Sequence, residues 1–197
     1  GAYLSGAQFT AYTDKECTDI LKDTAGNAVV ITTDKNGYAV SSNIYVGKIG
    51  SRTVYVKETA LNHPDSDIIA LNTTVFPVVI KPNTTTPIND GKAVINEYKP
   101  GKIMLVKENQ NGNRLAGVTF SVYTDDACRN LLTTIVTDEH GVGISEAISI
   151  DGSGKRLLFV KETALTDEQK PLYELSHTVY PVVVFPNQTV QVNNGKT

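Results

Sequence analysis

The stretch Arg-Leu-Leu-Phe-Val-Lys-Glu-Thr-Ala, residues 156–164, decides the fold, and its last five residues also occur at 56–60. Strict alternation along this stretch places Leu158, Val160 and Glu162 on one face of a β-strand. An ionised carboxylate on a core-facing row is costly unless it has a partner. The stretch therefore predicts a strand whose buried Glu162 is paired with another polar group in the core.

Two other runs have the same pattern, in which two inward apolar residues are followed by an inward reactive group. In residues 103–107 the reactive group is Lys107, and in residues 190–194 it is Asn194. Asn193 is the alternative if the last strand slips by one residue, although alternation favours Asn194. A Lys, a Glu and an Asn in one core supply the parts of an amide bond between the amine and the side-chain amide.

Internal repeats divide the chain into two copies of one domain. Residues 115–124, Leu-Ala-Gly-Val-Thr-Phe-Ser-Val-Tyr-Thr, repeat the pattern of residues 4–13. Two more pairs match at an offset of 104 residues: 33–37 with 137–141, and 75–80 with 179–184. Repeats of this kind indicate tandem domains. We place the boundary after residue 98, which gives domains at 1–98 and 99–197.

Short alternating runs separated by Asp, Asn and Gly turns indicate an all-β chain. The predicted strands of the second copy are 102–108, 116–123, 131–137, 143–149, 156–162, 173–184 and 188–194, with a short helical turn at 125–130. Seven strands of this size are typical of a small sandwich or a partly open barrel. The fold class is thus two tandem β-sandwich domains.

Charge and hydropathy exclude several classes of protein. The formal net charge is −3, the sequence pI is about 5.6, and no Lys/Arg run stands out, so nucleic-acid binding is not expected. No apolar stretch approaches the length of a membrane span, so membrane insertion is not expected either.

The histidines and cysteines do not indicate a cofactor or an enzyme. His63, His140 and His177 lack the spacing of metal ligands, and no nucleophile motif accompanies them. Cys17 and Cys128 lie at equivalent positions of the two copies, so we expect them to lie a domain apart and not to pair. We predict no metal, no cofactor and no turnover enzyme.

Three segments in the right order resemble one known family. Residues 106–117 resemble its first strand and the following turn, 160–164 resemble its glutamate box, and 190–194 resemble its final strand. The family is that of the collagen-adhesin B-type domains, also called prealbumin-like or Ig-like, of Gram-positive pilins and surface stalks. This resemblance implies two-sheet β-sandwiches in which a spontaneous Lys–Asn isopeptide bond joins the first strand to the last.

The resemblance also implies roles for the reactive residues of the second copy. Lys107 would be the nucleophile, Glu162 the proton shuttle and Asn194, with Asn193 as the alternative, the acceptor. An apolar core disfavours the charged forms of Lys and Glu, so a neutral amine and a protonated carboxyl are expected there. The reaction releases ammonia and occurs once, so it is self-processing.

The first copy contains only two of the three reactive groups. Glu58 repeats Glu162, and Asn96 follows inward-facing Val94 in a segment that resembles the family's final strand. The expected Lys lies eight positions before Leu4, which falls ahead of residue 1. We therefore predict that domain 1 lacks its N-terminal strand and contains no internal isopeptide bond. A Lys-bearing strand from another chain would complete it.

The family resemblance implies a structural role outside the cell. The expected function is a stalk or pilin-type module of a secreted, cell-wall-anchored or pilus-associated surface protein, whose partners are the neighbouring domains of that protein. The alternative is an adhesin domain that binds a host protein or a glycan. The chain has no Trp and only 7% aromatic residues, which leaves no obvious stacking surface for a glycan.

Overall fold

The chain forms two compact units, Gly1–Glu97 (unit 1) and Tyr98–Thr197 (unit 2). The computed structural model describes residues 3–48 and 50–195, without the side chain of Asn194. The division falls one residue before the boundary expected from the sequence. Both units are built from β-strands, which confirms the all-β fold class.

Unit 1 contains one four-stranded antiparallel sheet with the order β2-β1-β3-β4. Its strands are β1 (Ala7–Tyr12), β2 (Val30–Thr32), β3 (Arg52–Leu61) and β4 (Val75–Ile80), and a 3-10 turn follows at Asn89–Gly91. One face of this sheet carries the core. The buried residues of the core cluster are Ala7, Phe9, Ala11, Leu21, Val29, Val54, Val56 and Val78.

Unit 2 contains two sheets. Its strands are β5 (Lys102–Val106), β6 (Thr119–Tyr123), β7 (Leu131–Val136), β8 (Val142–Ile144), β9 (Arg156–Ala164), β10 (Val179–Val184) and β11 (Thr189–Gln191), followed by a 3-10 turn at Val192–Gly195. The sheet orders are β10-β9-β6-β7 and β11-β5-β8. β5 is the centre of the smaller sheet, since β11 pairs with it in parallel and β8 antiparallel.

The core of unit 2 lies between its two sheets. Ile103 and Leu105 of β5 are completely buried, and they belong to one cluster with Phe120 of β6 and with Leu158 and Val160 of β9. Along β5 and β9 the inward residues alternate with more exposed ones, as expected for a half-buried strand. Unit 2 is therefore the two-layer sandwich that the sequence predicted.

Several predicted strand bounds differ from the observed ones for identifiable reasons. β10 begins only at Val179. Residues 167–172 form a turn, which the Tyr173 N–H closes by donating to the Gln169 carbonyl, and residues 173–178 belong to no strand. The segment 125–130 is a turn without a helix, because the Asp125 carboxylate accepts the Arg129 and Asn130 N–H groups.

Unit 1 has no counterpart of β5 among its described residues. Residues 38–40, which match β8 at an offset of 104 residues, and residues 93–96 belong to no strand. Tyr38 and Ile95 are both 65% exposed. The described residues of unit 1 thus form one sheet, without the second sheet that β5 centres in unit 2.

Both cysteines of the chain, Cys17 and Cys128, are free thiols. Within residues 3–48 and 50–195, no helix has the length and apolar character needed to cross a membrane. In the same residues, no group of three His, Cys, Asp or Glu side chains is placed to hold a metal ion.

Candidate functional sites

Glu162 and Lys107 form the candidate site of unit 2. Glu162 lies on β9, opposite Phe120 of β6, and is 2% exposed. Lys107 follows the last residue of β5, and its Nζ lies 2.9 Å from Glu162 Oε2. The Lys107 side chain is only 13% exposed. Alternation along two strands therefore brings an amine and a carboxyl together beside an apolar core.

The carboxyl of Glu162 has unused hydrogen-bonding capacity. Both of its oxygens are buried, and neither accepts a hydrogen bond from a described residue. The Lys107 contact is thus close enough for an ion pair but is not aligned as a hydrogen bond. A buried carboxyl oxygen without a donor is unusual in a folded protein. The site can accept a further donor.

The predicted acceptors lie just beyond the last strand of unit 2. β11 ends at Gln191, and Val192 is completely buried at the start of the 3-10 turn. Asn193 is exposed and has a positive φ of 47°. The side chain of Asn194 lies outside the described part of the structure. Alternation along a strand cannot be extended past Gln191, so Asn194 as acceptor, with Asn193 as alternative, stays a prediction.

Glu58 and Asn96 form the candidate site of unit 1. Glu58 lies on β3 and is 1% exposed. The amide Nδ2 of Asn96 donates to Glu58 Oε2 at 2.6 Å and to the Ala70 carbonyl at 3.0 Å. Glu58 Oε1 is buried and accepts no hydrogen bond from the described residues. The structure therefore brings together the two residues that the sequence singled out in unit 1.

Asn72 is a part of this site that the sequence did not reveal. Its backbone N–H donates to Glu58 Oε2 at 2.5 Å, and its side-chain Nδ2 donates to the Ile95 carbonyl at 2.8 Å. Asn72 thereby fixes both the carboxyl and the residue before Asn96. An Asn in a loop is too common for its type alone to indicate this role.

A cleft of about 350 Å³ opens beside Lys107 in unit 2. Its lining includes Lys107, Leu115 and Leu165, and also Leu172, Tyr173 and Glu174 from the segment before β10. The Tyr173 hydroxyl accepts a hydrogen bond from Asn109 Nδ2 at 3.1 Å. The amine at this site is therefore reached from an open, partly apolar cleft.

Comparisons with known proteins give a limited result. No family model matches the chain, and no curated protein matches it. Among solved structures, the Bacillus anthracis TIE protein is similar over 96% of this chain, at 19% identity and a TM-score of 0.43. A tetra-tandem repeat from the extending region of a large adhesion protein is similar over 94%, at 14% identity and a TM-score of 0.25. This chain covers 30% and 43% of those two chains, respectively.

Proposed function

We propose that this chain is a structural module of a bacterial surface stalk or pilus, held outside the cell and rigidified by a Lys–Asn amide bond. One observation carries the proposal, namely the 2.9 Å distance between Lys107 Nζ and Glu162 Oε2 beside an apolar core. A permanent salt bridge in such a place gains little stability over apolar packing. An amine and a carboxyl held there are, however, well placed for acyl transfer.

The chemistry follows from the surroundings of the two groups. The proposed reaction starts from the neutral amine of Lys107 and the protonated carboxyl of Glu162. The Lys107 amine then attacks the Cγ of an asparagine amide, while the Glu162 carboxyl donates to its Oδ1 and polarises it. The bond from Nζ to Cγ forms, the bond from Cγ to Nδ2 breaks, and Glu162 passes the amine proton to the departing ammonia. The site reacts once and is not regenerated, so the chain is not a turnover enzyme.

The proposed bond has a mechanical purpose. A link from Lys107 to residue 194 would close a loop of 194 − 107 = 87 residues across almost the whole of unit 2. By analogy with a disulfide, a cross-link of that span stabilises the fold by roughly 4–5 kcal/mol in the chain-entropy description. Tension that enters at β5 would then leave at the last strand without extending the residues between them.

The partners proposed for this chain are the neighbouring domains of the same surface protein and, for unit 1, a Lys-bearing strand. Glu58 and Asn96 are already in contact in unit 1, and no described residue donates to Glu58 Oε1. A Lys amine placed beside Glu58 Oε1 would make the same contact with Glu58 that Lys107 makes with Glu162. This supports a strand of another polypeptide as the group that completes unit 1.

Mapping of the Lys107 amine by mass spectrometry tests the proposed chemistry. We expect Lys107 in a branched peptide that is lighter than its two parts by one ammonia, and we expect Glu162→Ala to leave the amine free. Exposed Lys102 on the same strand is the internal control and stays unmodified. An unmodified Lys107 in the wild-type chain would contradict the proposal.

A further inference from the structure

Strand β7 is an open edge of the larger sheet of unit 2. Among the described residues it pairs with β6 and with no other strand. Its sequence, Leu-Leu-Thr-Thr-Ile-Val, contains no charged residue and no proline. Leu131 and Val136 are 58% and 56% exposed, and Leu132 is 37% exposed. An uncharged edge strand with exposed apolar side chains is a template for pairing with a further strand.

The other edge strands of the described structure are protected against such pairing. β4 and β10 lie at the edges of their sheets and contain Pro77 and Pro181, respectively. A proline in an edge strand has no N–H to donate to a further strand. The edge strands β2, β8 and β11 have only 3 residues each. Very short edge strands and prolines are two ways in which proteins prevent edge-to-edge association, and β7 uses neither.

The backbone direction along β7 identifies the groups that are open to a partner. The Thr137 N–H donates to the Val118 carbonyl at 3.0 Å, and the Thr137 carbonyl accepts from the Gly117 N–H at 2.7 Å. Both backbone groups of Thr137 therefore point toward the segment that leads into β6. Because this direction alternates along a strand, the backbone groups of Thr134 and Val136 point away from β6. Thr134, whose side chain is also exposed, lies at the middle of the open edge.

The sequence of β7 is complementary to itself in an antiparallel pairing. In the register that places Thr134 opposite Thr134 of a second copy, the two residues exchange both backbone hydrogen bonds. Leu132 then lies opposite Val136 of the second copy on the outer face. Thr133 lies opposite Ile135 of the second copy on the core side. Aliphatic pairs and a Thr–Thr pair are favourable neighbours across strands, and the pairing removes exposed apolar surface from water.

The charges at the two ends of β7 favour the same register. Arg129 precedes the strand and Glu139 follows it, and both are exposed. In the antiparallel register Arg129 of each copy lies at the end of the strand that carries Glu139 of the other copy. A parallel pairing would instead bring like charges together at both ends. This charge complementarity selects a second copy of the chain, in antiparallel orientation, as the occupant of the edge.

We propose that β7 is a self-association surface, at which two copies of this chain pair edge to edge about a two-fold axis through Thr134. The four-stranded sheet β10-β9-β6-β7 of one copy then continues into that of the other. A single strand pair buries less surface than a stable interface needs, so the dimer is weak and dissociates on dilution. The pairing uses neither Lys107 nor Glu162, and it is therefore independent of the proposed amide bond.

Sedimentation of the full chain between about 10 μM and about 1 mM, the range in which weak complexes dissociate, tests the proposal. We expect a monomer–dimer equilibrium, and we expect hydrogen exchange at the Thr134 amide to slow as the concentration rises. Thr134→Lys and Thr134→Glu place like charges opposite each other at the axis, so each should raise the Kd at least about tenfold. An equimolar mixture of the two variants should restore the dimer.

The matched control is Val30→Lys. Val30 matches Thr134 at the offset of 104 residues, and it is 46% exposed on the three-residue edge strand β2. This variant should sediment as the wild-type chain does. Thermal melting of all three variants verifies that each exposed substitution leaves the fold intact.

Each other result counts against a defined part of the proposal. A wild-type chain that is still monomeric at about 1 mM overturns it. A dimer that Thr134→Lys does not weaken forms through another surface, and the assignment to β7 is then wrong. If both charged variants are monomeric and their mixture is too, the two-fold register is wrong. Equal weakening of the dimer by Val30→Lys would show that association is not specific to β7.

Discussion

Glu58 and Glu162 occupy matching positions of two matching strands, yet their partners differ. Glu58 accepts from an asparagine and from the backbone of Asn72, whereas Glu162 has a lysine beside it. Each site therefore contains the carboxyl and one of the two groups that an amide bond needs. That group is the Asn96 amide in unit 1 and the Lys107 amine in unit 2. The alternation of side chains along a strand predicted that Glu58, Glu162, Lys107 and Asn96 face the core. Each of these directions follows from the pattern of a single segment. Asn72 escaped prediction, because its role depends on a contact between two segments outside the strands, one with Asn72 and the other with Ile95.

At the same scale, Asp138 shapes the turn between β7 and β8. The N–H of Val142 donates to its carboxylate and lowers the pKa of Asp138, an effect that desolvation opposes and the N–H of His140 reinforces. Because the folded pKa lies below the ordinary value of about 3.9, the turn is stabilised above that pH and loses this contribution as the pH falls through the folded pKa.

A carbon-detected NMR titration of the Asp138 carboxyl checks this prediction. The midpoint should lie below that of an aspartate in an unstructured peptide, and the Val142 amide should shift with the same midpoint. Asp138→Asn keeps an acceptor oxygen and should disturb the turn less than Asp138→Ala. Glu139→Ala, at the neighbouring exposed position, is the control. A midpoint at or above the ordinary value would rule out this account of the turn.

At the scale of single strands, β5 determines whether the smaller sheet exists. In unit 2 it separates β11 from β8 and pairs with both. In unit 1 the segments that should flank such a strand remain without strand pairing. The sequence predicted this difference by counting residues between Lys107 and Leu115. It predicted the length of β11 poorly, because the buried Val192 continued the alternating pattern into a 3-10 turn.

A peptide of residues 101–108, Gly-Lys-Ile-Met-Leu-Val-Lys-Glu, with Lys102→Arg, should therefore add to unit 1 and react with Asn96. Strand addition supplies the missing ladder, and Lys107 of the peptide supplies the amine beside Glu58. The measurement is a gel shift followed by peptide mapping. The same peptide with Lys107→Ala should bind without reacting, and chains with Asn96→Ala or Glu58→Ala should form no adduct.

A different bond in unit 1 would count against this prediction. If Asn96 were already joined to a lysine of residues 1–98, such as Lys15 or Lys48, the strand would not be missing. The chain without peptide would then be lighter than its sequence mass by one ammonia, because of the bond in unit 1. Asn96 would also be unavailable to the added amine.

At the scale of the whole molecule, the two units should differ in local stability. Unit 2 closes its core between two sheets. The described residues of unit 1 form one sheet, and Ile44, Ile88 and Val94, which pack against its core from outside the strands, are only partly buried. Fewer backbone hydrogen bonds and less apolar burial lower the free energy of local opening. The internal repeat predicted two units of one kind, but burial on the open side of unit 1 could not be read from the sequence, since it depends on a neighbouring strand.

Hydrogen exchange measured by mass spectrometry tests this difference. Amides of Ala39 and Val40 should exchange at least about tenfold faster than those of Gly143 and Ile144, because only the latter pair lies in a strand ladder. Strands β3 and β9 are the internal control, since both are central in their sheets and should be similarly protected. Equal exchange at residues 39–40 and at residues 143–144 would show that unit 1 is closed without a further strand.

The chemical state of the Lys107 amine tests the central claim most directly. Tryptic mapping is performed on the wild-type chain and on the Glu162→Ala chain. The account predicts a branched fragment at Lys107 of the wild-type chain that is lighter than its two parts by one ammonia. In the Glu162→Ala chain it predicts cleavage after Lys107. Cleavage after Lys107 in both samples, with no branched fragment in either, would contradict the account.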